Sequence, residues 1–457
     1  MTNPDPSLTV KRQADLVVRA SGRATSADGR PAGREGFLDR LCTPPTAQIC
    51  MSAILLVVFP WAVYRAAGNL ACDFPEFVNG GRYILDHGCR HPLTALNRYL
   101  PSLDVACILL TIFPLVLSAA IYYLLNVGTW FGLLATVRDE LLAGDDMLLR
   151  ARGTMAAGLL ALLIAADGFL IGAFHILMVW MMVAGLAAAS RDRPWKGGAL
   201  LGVAIWLKLL PVVGAGYLVL KRKWLAAGVA LLLAVSIDII LSLAAFGWQG
   251  SIDEHLVWAA GGAAATVDDQ MHGEDAIDED RITNQSTIVV LRRFLTARGG
   301  FPTLAVADLS PTALSLVTGC VLSTLGCAVL MAIRRPAAAM NRRDWSVEIA
   351  LIVLCTVWFS PVVWSYHLTA VVPALAVILS TPAAEARKNV VSVVWILGIL
   401  LFAIPLGRAA GHMLWASFFV AASMMLSLHR VTAEGSAAVD EHGLRGPHRI
   451  PSSARIE

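Results

Sequence analysis

A series of apolar segments, separated mostly by short loops rich in arginine and lysine, limits this chain to one broad architecture. A membrane-spanning helix needs about 20 apolar residues, and short basic loops stay on the cytoplasmic side. The pattern predicts an all-α, polytopic transmembrane bundle of about twelve helices, some of them short or broken. We place them at residues 48–68, 104–133, 153–166, 168–189, 197–209, 211–220, 224–246, 312–333, 346–363, 366–381, 388–406 and 411–429.

Composition agrees with a lipid-facing surface. Of the residues, 57% are apolar and 15% are charged, whereas a soluble domain has roughly 45–50% apolar and about 25% charged residues. A soluble surface would lack the polar side chains needed to cover such a chain. The formal net charge is only +3 and the basic residues are dispersed, so nucleic acid is not an expected partner.

The same pattern predicts the domain organisation and the orientation in the cell membrane. Residues 1–45 and 431–457 are polar and are expected to be disordered cytoplasmic tails flanking one membrane domain, residues 46–430. Basic residues gather in alternate loops, for example at Arg150 and Arg152, Arg191 to Lys196, and Lys221 to Lys223. That alternation places the two long loops, residues 68–103 and 248–311, on the extracytoplasmic face, where long loops are often functional.

Lys208 is notable because it lies at the break between two short apolar segments, next to Pro211. Broken helices are tolerated at membrane depth where protein or a water-filled cavity covers the exposed backbone groups. An intramembrane lysine is costly, and an anionic ligand such as a phosphate would offset that cost. Snorkelling of the side chain to the interface is the structural alternative.

Two further residues are candidates for chemistry at the same face. Asp73 follows the first apolar segment and lies beside Phe74 and Phe77, where a carboxylate can act as a general base or simply cap a helix. His367 ends the segment Ser-Pro-Val-Val-Trp-Ser-Tyr-His. It can donate to a phosphate or a sugar hydroxyl, or belong to an interfacial belt with Trp364 and Tyr366.

Other polar residues near this face are weaker candidates. Asn284 and Gln285 follow the acidic stretch of residues 268–280, for which solvated repulsion is a simpler account than cation binding. Asp167 with Gly168 is expected at a turn, and His175 is close enough in the chain to face the same cavity. Asp238 lies deep in an apolar segment, so a partner is expected.

Several segments, taken in order, resemble glycosyltransferase family 87, the polyprenol-phosphate-mannose-dependent α-mannosyltransferases of the GT-C superfamily. The likeness covers most of residues 45–430. Two motifs depart from the family pattern: Asp167 to Gly172 stands where a Gly-Gln-Asn-like motif is usual, and Ser365-Tyr366-His367 replaces a double histidine. The segments that carry the likeness are Asp73-Phe74, Gly80 to Gly88, Tyr99 to Pro101, Gly198 to Pro211 with Lys221 to Trp224, Asn284 to Ser286, and Phe359 to His367.

The resemblance implies a GT-C membrane enzyme that moves a hexose, typically mannose, from a polyprenyl-phosphate donor to a lipid or glycan acceptor with inversion. It implies Asp73 as the catalytic base, and Lys208 and His367 as contacts of the donor phosphate and sugar. The acceptor side would be lined by Asn284, Gln285, Asp167 and His175. Family members with lipid-phosphate donors need no obligate metal ion, so no metal and no cofactor are expected. The expected partners are membrane lipid, the donor and a glycan or glycolipid acceptor.

Two other classes remain open on the residues alone. A secondary transporter or flippase of a lipid-linked or anionic substrate would also use broken helices and intramembrane charges, although the sequence shows no inverted repeat. A scaffold subunit without activity would tolerate loss of the Asp73 carboxylate. Whether Cys72 and Cys89, both in the first long loop, form a disulfide is also open.

Overall fold

The computed structural model describes residues 43–68, 73–90, 99–143, 146–260, 283–297, 304–381 and 385–426, which belong to one unit. These residues are helical and contain no strand. The helices are α1 Pro44–Ala67, α2 Asp73–His87, α3 Pro101–Ala106, α4 Leu115–Thr136, α5 Met147–Ile171, α6 His175–Ser190, α7 Pro194–Leu207, α8 Val212–Leu220, α9 Trp224–Trp258, α10 Thr287–Leu295, α11 Pro311–Ala332, α12 Arg342–Trp358, α13 Val372–Leu379, α14 Glu385–Phe402, α15 Pro405–Ala409 and α16 His412–Leu426.

The predicted all-α fold is confirmed, but the predicted count of about twelve helices is too low. The additional helices are short and lie in the connections, as α2, α3, α10 and α15 do. Their local sequences stop them from joining the long apolar segments. α3 and α15 begin with proline, and the Ser286 side chain caps the start of α10, so each has its own N-terminal signal.

Within the part of the chain that the structure describes, five helical segments are long and apolar enough to cross a membrane: α1, α4 with its π-helical turn to Leu141, α5, α9 and α11. Large apolar side chains on these segments are exposed, for example Leu124 on α4 and Leu316 on α11. Exposed apolar area of this extent is what a lipid-facing surface requires. The chain is therefore a membrane protein.

The centre of the bundle is α12, on which every residue from Asp344 to Trp358 is buried. A helix that is apolar on all sides belongs in the interior. Around it α6 packs on α7, and α7 packs on α9. The contact between α6 and α7 is close because Gly197 has no side chain; a Cβ there would lie 2.7 Å from the Ala189 nitrogen. Small residues let membrane helices approach in this way.

Two predicted boundaries are wrong because local backbone signals override the apolar pattern. The segment 104–133 is two helices, since Pro114 lacks an N–H and α4 begins only after it. The turn predicted at Asp167-Gly168 lies farther along: both residues are in α5, which continues to Ile171. It ends where Gly172 adopts a positive φ of 74° and donates to the Gly168 carbonyl, a common way to end a helix.

The second long loop also begins later than predicted, because the chain stays helical after Trp248. Gly247 (φ 67°, ψ −175°) interrupts α9, and His255 Nε2 then lies 2.8 Å from Asp238 Oδ2. In a straight helix those residues would be about 25 Å apart, so the end of α9 folds back along the residues that precede Gly247. His255 is thus a partner of Asp238, which the sequence analysis expected but did not identify.

Candidate functional site

Five of the predicted site residues meet where several helix ends converge. Asp73 is the first residue of α2, Asp167 lies in the last turn of α5, and His175 begins α6. Lys208 follows α7 at the predicted break, in extended conformation. His367 belongs to the 3₁₀ segment Ser365–Val371 that precedes α13.

The 3₁₀ segment connects both carboxylates. The Tyr366 hydroxyl donates to Asp73 Oδ2 at 3.3 Å, and the Ser365 hydroxyl donates to Asp167 Oδ2. Asp73 and Asp167 are half-buried, so these bonds orient acids that keep partial access to their surroundings. Two consecutive residues of one segment therefore align acids from two different helices.

Lys208 lies directly against His367. Lys208 Nζ is 2.7 Å from His367 Nε2, while His367 Nδ1 accepts from the Trp364 backbone N–H at 2.8 Å. At this distance the two nitrogens are hydrogen-bonded to each other, so both become available to an anionic ligand only when the two side chains part.

His175, at the start of α6, supports the same 3₁₀ segment. Its Nε2 donates to the His367 carbonyl at 2.9 Å, and the two imidazole rings are edge to face with centroids 4.5 Å apart. His175 is buried, and its hydrogen bond fixes the backbone of the residue that contacts Lys208.

A cavity of about 10 Å³ lies between these groups, which is room for about one water molecule. A larger ligand therefore requires these side chains to part. Tyr366 lines the cavity and also donates to Asp73, so it links the Lys208 side of the site with the carboxylate. The lining residues are Tyr99, Ala173, Phe174, His175, Met178, Leu207, Lys208, Tyr366 and His367.

Aromatic packing holds the start of α2 in position. The Phe74 ring lies 5.1 Å from the Tyr122 ring, and the Phe77 ring lies 4.6 Å from that of Phe174. Gly172 is needed at the α5 end, because a Cβ there would lie 2.6 Å from the Phe74 Cβ. The glycine thus lets α5 approach the residue next to Asp73.

Asn284 and Gln285 occupy a neighbouring position outside the cavity lining. Asn284 Oδ1 accepts from the Val363 N–H at 2.9 Å, and the Gln285 N–H donates to the Val363 carbonyl at 2.6 Å. Both are buried. These bonds anchor the loop that leads into the 3₁₀ segment, and a role in contacting the acceptor stays a prediction.

Arg293 on α10 reinforces that anchor, donating from Nη2 to the Asn284 carbonyl at 2.9 Å. Burial, aided by the neighbouring charge of Arg292, lowers the pKa of Arg293 to about 10. It remains protonated at neutral pH and holds the α10 start in place.

Four residues of the site were not among the residues predicted for it: Tyr99, Phe174, Ser365 and Tyr366. A signal was present for the last two, since they occupy the positions where the family pattern departs at Ser365-Tyr366-His367. Cys72, and with it the possible disulfide to Cys89, lies outside the described residues, as does the acidic stretch 268–280.

A second polar cluster adjoins the site through α7. The Trp206 indole N–H donates to Ser102 Oγ at 2.8 Å, and Ser102 donates to Asp238 Oδ1 at 2.5 Å. His255 completes the cluster from the folded-back end of α9. Because Trp206 is two residues before Lys208, this cluster fixes the helix end that carries the lysine.

Comparison with known proteins identifies the family. A polyprenol-phosphate-mannose-dependent alpha-(1-2)-phosphatidylinositol pentamannoside mannosyltransferase of Mycobacterium tuberculosis (strain CDC 1551 / Oshkosh) is 25% identical over 269 residues, which are 56% of this chain and 55% of that protein. The chain therefore spans about half the length of the curated relative it matches. No solved structure matches.

The sequence model of glycosyltransferase family 87 matches residues 99–361. That range includes Asp167, His175, Lys208, Asn284 and Gln285, whereas Asp73 and the Ser365–His367 segment lie outside it. The match covers more than half of the chain, which thus belongs to glycosyltransferase family 87.

Proposed function

We propose that this protein transfers a hexose, mannose in the first instance, from a polyprenyl-phosphate donor to a lipid or glycan acceptor at the extracytoplasmic face of the membrane. The observation that carries the proposal is the cluster in which Tyr366 joins Asp73 to the cavity shared by Lys208 and His367. Family membership and the name of the mycobacterial relative support the donor class, and favour an enzyme over a transporter or flippase.

In the proposed reaction Asp73 acts as general base. It removes the proton of an acceptor hydroxyl, whose oxygen attacks the anomeric carbon from the face opposite the phosphate. The bond from that carbon to the phosphate oxygen breaks, and polyprenyl phosphate leaves with the electron pair, so the anomeric configuration inverts. A phosphate leaving group needs little protonation, and one base with cationic stabilisation suffices.

Lys208 and His367 are proposed to hold the phosphate. Their nitrogens are 2.7 Å apart, so a phosphate oxygen entering between them would receive two hydrogen bonds, one of them charge-assisted. Entry requires the two side chains to separate, which the break after α7 permits. Asp167, His175, Asn284 and Gln285 are proposed to shape the acceptor side.

The extracytoplasmic placement is supported by the directions of the helices. α5 has Arg150 and Arg152 near its first residue and Asp167 near its last. α7 begins next to Lys196 and ends at Lys208. The site therefore lies at the ends opposite those basic clusters, which the positive-inside rule assigns to the cytoplasm.

The test is sugar transfer by purified protein from a radiolabelled polyprenyl-phosphate-mannose donor, comparing wild type with Asp73→Asn. Loss of a general base lowers turnover by about 10²- to 10⁴-fold, and we expect a loss in this range. Asp86→Asn is the matched control, because it changes an exposed acid on the same helix. Equal turnover of Asp73→Asn and wild type would remove Asp73 from the mechanism, and movement of donor across vesicles without transfer would favour a flippase.

A further inference from the structure

An open apolar groove lies on one face of α4. Its lining residues recur at helical spacing, Ile121, Leu124, Leu125, Gly128 and Thr129, and Trp180 of α6 closes one side. The groove has a volume of about 410 Å³, within the usual range of ligand sites. The three aliphatic side chains are exposed, so the groove opens toward lipid.

The groove is built by two glycines and a fixed tryptophan. Trp180 Nε1 donates to Thr136 Oγ1 at 3.0 Å, and the ring lies against Gly132, where a Cβ would come within 3.1 Å of it. Trp180 thus forms a shelf across α4. Beside it, a Cβ on Gly128 would have nothing within 4 Å, so the absence of a side chain leaves the floor of the groove open.

The groove adjoins the candidate site through α6, which contributes Trp180 to the groove and His175 and Met178 to the site cavity, and through Tyr122 of α4. Tyr122, next to Ile121, packs on Phe74 and on Phe174, with ring centroids 5.1 Å and 5.3 Å away. Trp180 is five residues after His175, about 7.5 Å along the helix. The groove therefore starts at the level of the site and runs deeper along the same two helices.

We propose that this groove binds the isoprenoid tail of the polyprenyl-phosphate donor. A phosphate held at Lys208 and His367 would place its tail in the apolar layer beside α4 and α6, where the groove runs. The branched methyl groups of an isoprenoid chain would pack on the Trp180 ring and over Gly128. This inference rests on the proposed function and specifies which surface the donor uses.

The test fills the groove with the side chain of a Gly128→Leu variant. A Cβ at this position has nothing within 4 Å, so the leucine should not disturb the fold. Gly319→Leu on α11 is the matched control, since a Cβ there also has nothing within 4 Å. One arm measures KM for a long-chain polyprenyl-phosphate-mannose and for a ten-carbon analogue. We expect Gly128→Leu to raise KM for the long donor about tenfold, because about two methylene groups of the tail would lose their buried contacts. KM for the short donor should stay unchanged in this variant, and KM for both donors should stay unchanged in Gly319→Leu.

A second arm measures binding without turnover. A polyprenyl phosphate with a diazirine on its tail should label the peptide that contains residues 121–129 in wild type and in Gly319→Leu, but not in Gly128→Leu. Unchanged KM and unchanged labelling in Gly128→Leu would overturn the proposal. So would a diacyl phospholipid that competes with the labelling as well as polyprenyl phosphate does. Equal losses of labelling in Gly128→Leu and Gly319→Leu would overturn it too. If wild type transfers sugar from neither donor, the proposed function fails while the labelling still decides the groove.

Discussion

Two lysines on either side of the short helix α8 have different surroundings: Lys221 directly follows it, and Lys208 ends α7 shortly before it. Lys221 is buried, and its Nζ lies 2.6 Å from Glu348 Oε2 and donates to the carbonyls of Ile333 and Arg335 at 2.7 Å and 2.6 Å. Lys208, on the other side, is half-buried and lies against the His367 ring.

The contrast is between a lysine that joins helices and a lysine that is proposed to hold a phosphate. An ammonium group has three donors, and Lys221 directs them to a carboxylate and two carbonyls, which joins α8 to α11 and α12. Lys208 instead shares a hydrogen bond with the His367 ring, and under the proposed function a phosphate would replace that bond. The comparison predicts that loss of Lys221 affects stability and loss of Lys208 affects donor binding.

The largest effect on stability is expected for Lys221→Met. It would leave the Glu348 carboxylate buried without its cation, and breaking such a pair costs about 3–5 kcal/mol. Thermal unfolding of the purified protein in one detergent measures the loss. The double variant Lys221→Met with Glu348→Met should recover most of it, and a single variant as stable as wild type would contradict the structural role.

Lys208→Met should leave stability nearly unchanged and weaken binding of the donor. A hydrogen bond to a charged group contributes about 1.5–3 kcal/mol, so KM for the polyprenyl-phosphate donor should rise between about tenfold and 150-fold. Donor titrations at saturating acceptor, with thermal unfolding alongside, separate the two effects. If Lys208→Met unfolded at a markedly lower temperature and kept the wild-type KM, Lys208 would have the structural role assigned to Lys221.

A smaller effect is expected for Tyr366→Phe, which removes only the hydroxyl that donates to Asp73. One neutral hydrogen bond is worth about 0.5–1.5 kcal/mol, so kcat should fall between about twofold and twelvefold. The acidic limb of the rate–pH profile should move to higher pH, because the hydroxyl favours the ionised carboxylate. Tyr123→Phe, whose hydroxyl bonds to the Leu55 carbonyl, is the control and should leave the profile in place.

The smallest effect is expected at the exposed pair between Asp192 and Lys223, 2.6 Å apart. The hydrogen bond and charge of Lys223 lower the pKa of Asp192 below its ordinary value of 3.8. Its contribution to stability is thus present above that value and is lost as pH falls through the lowered pKa. Asn tolerates the positive φ at this position, as Asp192 does. Asp192→Asn should therefore lower Tm at neutral pH by only about one or two degrees. A difference in Tm from wild type that persisted below the lowered pKa of Asp192 would show that the ion pair is not its cause.

Much of the fold was predictable because its signals are local. The apolar segments predicted a helical membrane protein, and the pairing of α7 with α8 around Lys208 to Pro211 follows from one proline. Boundaries failed where a short-range backbone signal differed from the apolar pattern. Gly172 and Gly247 set the ends and reversals of helices through positive φ angles, which hydrophobicity does not report.

The candidate site was predictable as a set of residues but not as an arrangement. Asp73, Asp167, His175, Lys208 and His367 do meet, whereas Asn284 and Gln285 lie beside the loop that supports them. Tyr366 and Ser365 were missed, because the departure from the family pattern at their positions does not show that their hydroxyls reach carboxylates on other helices.

The sequence by itself determined that the chain enters a membrane as helices and where one of those helices breaks. Transfer of an apolar segment into lipid and the missing N–H of a proline are properties of a few consecutive residues. Only the tertiary structure decided that Lys208 meets a histidine 159 positions away, and that Tyr366 reaches an aspartate 293 positions away. Such contacts depend on how helices pack around α12, and packing is set by close approaches, such as Gly172 on Phe74, that involve residues distant in the chain.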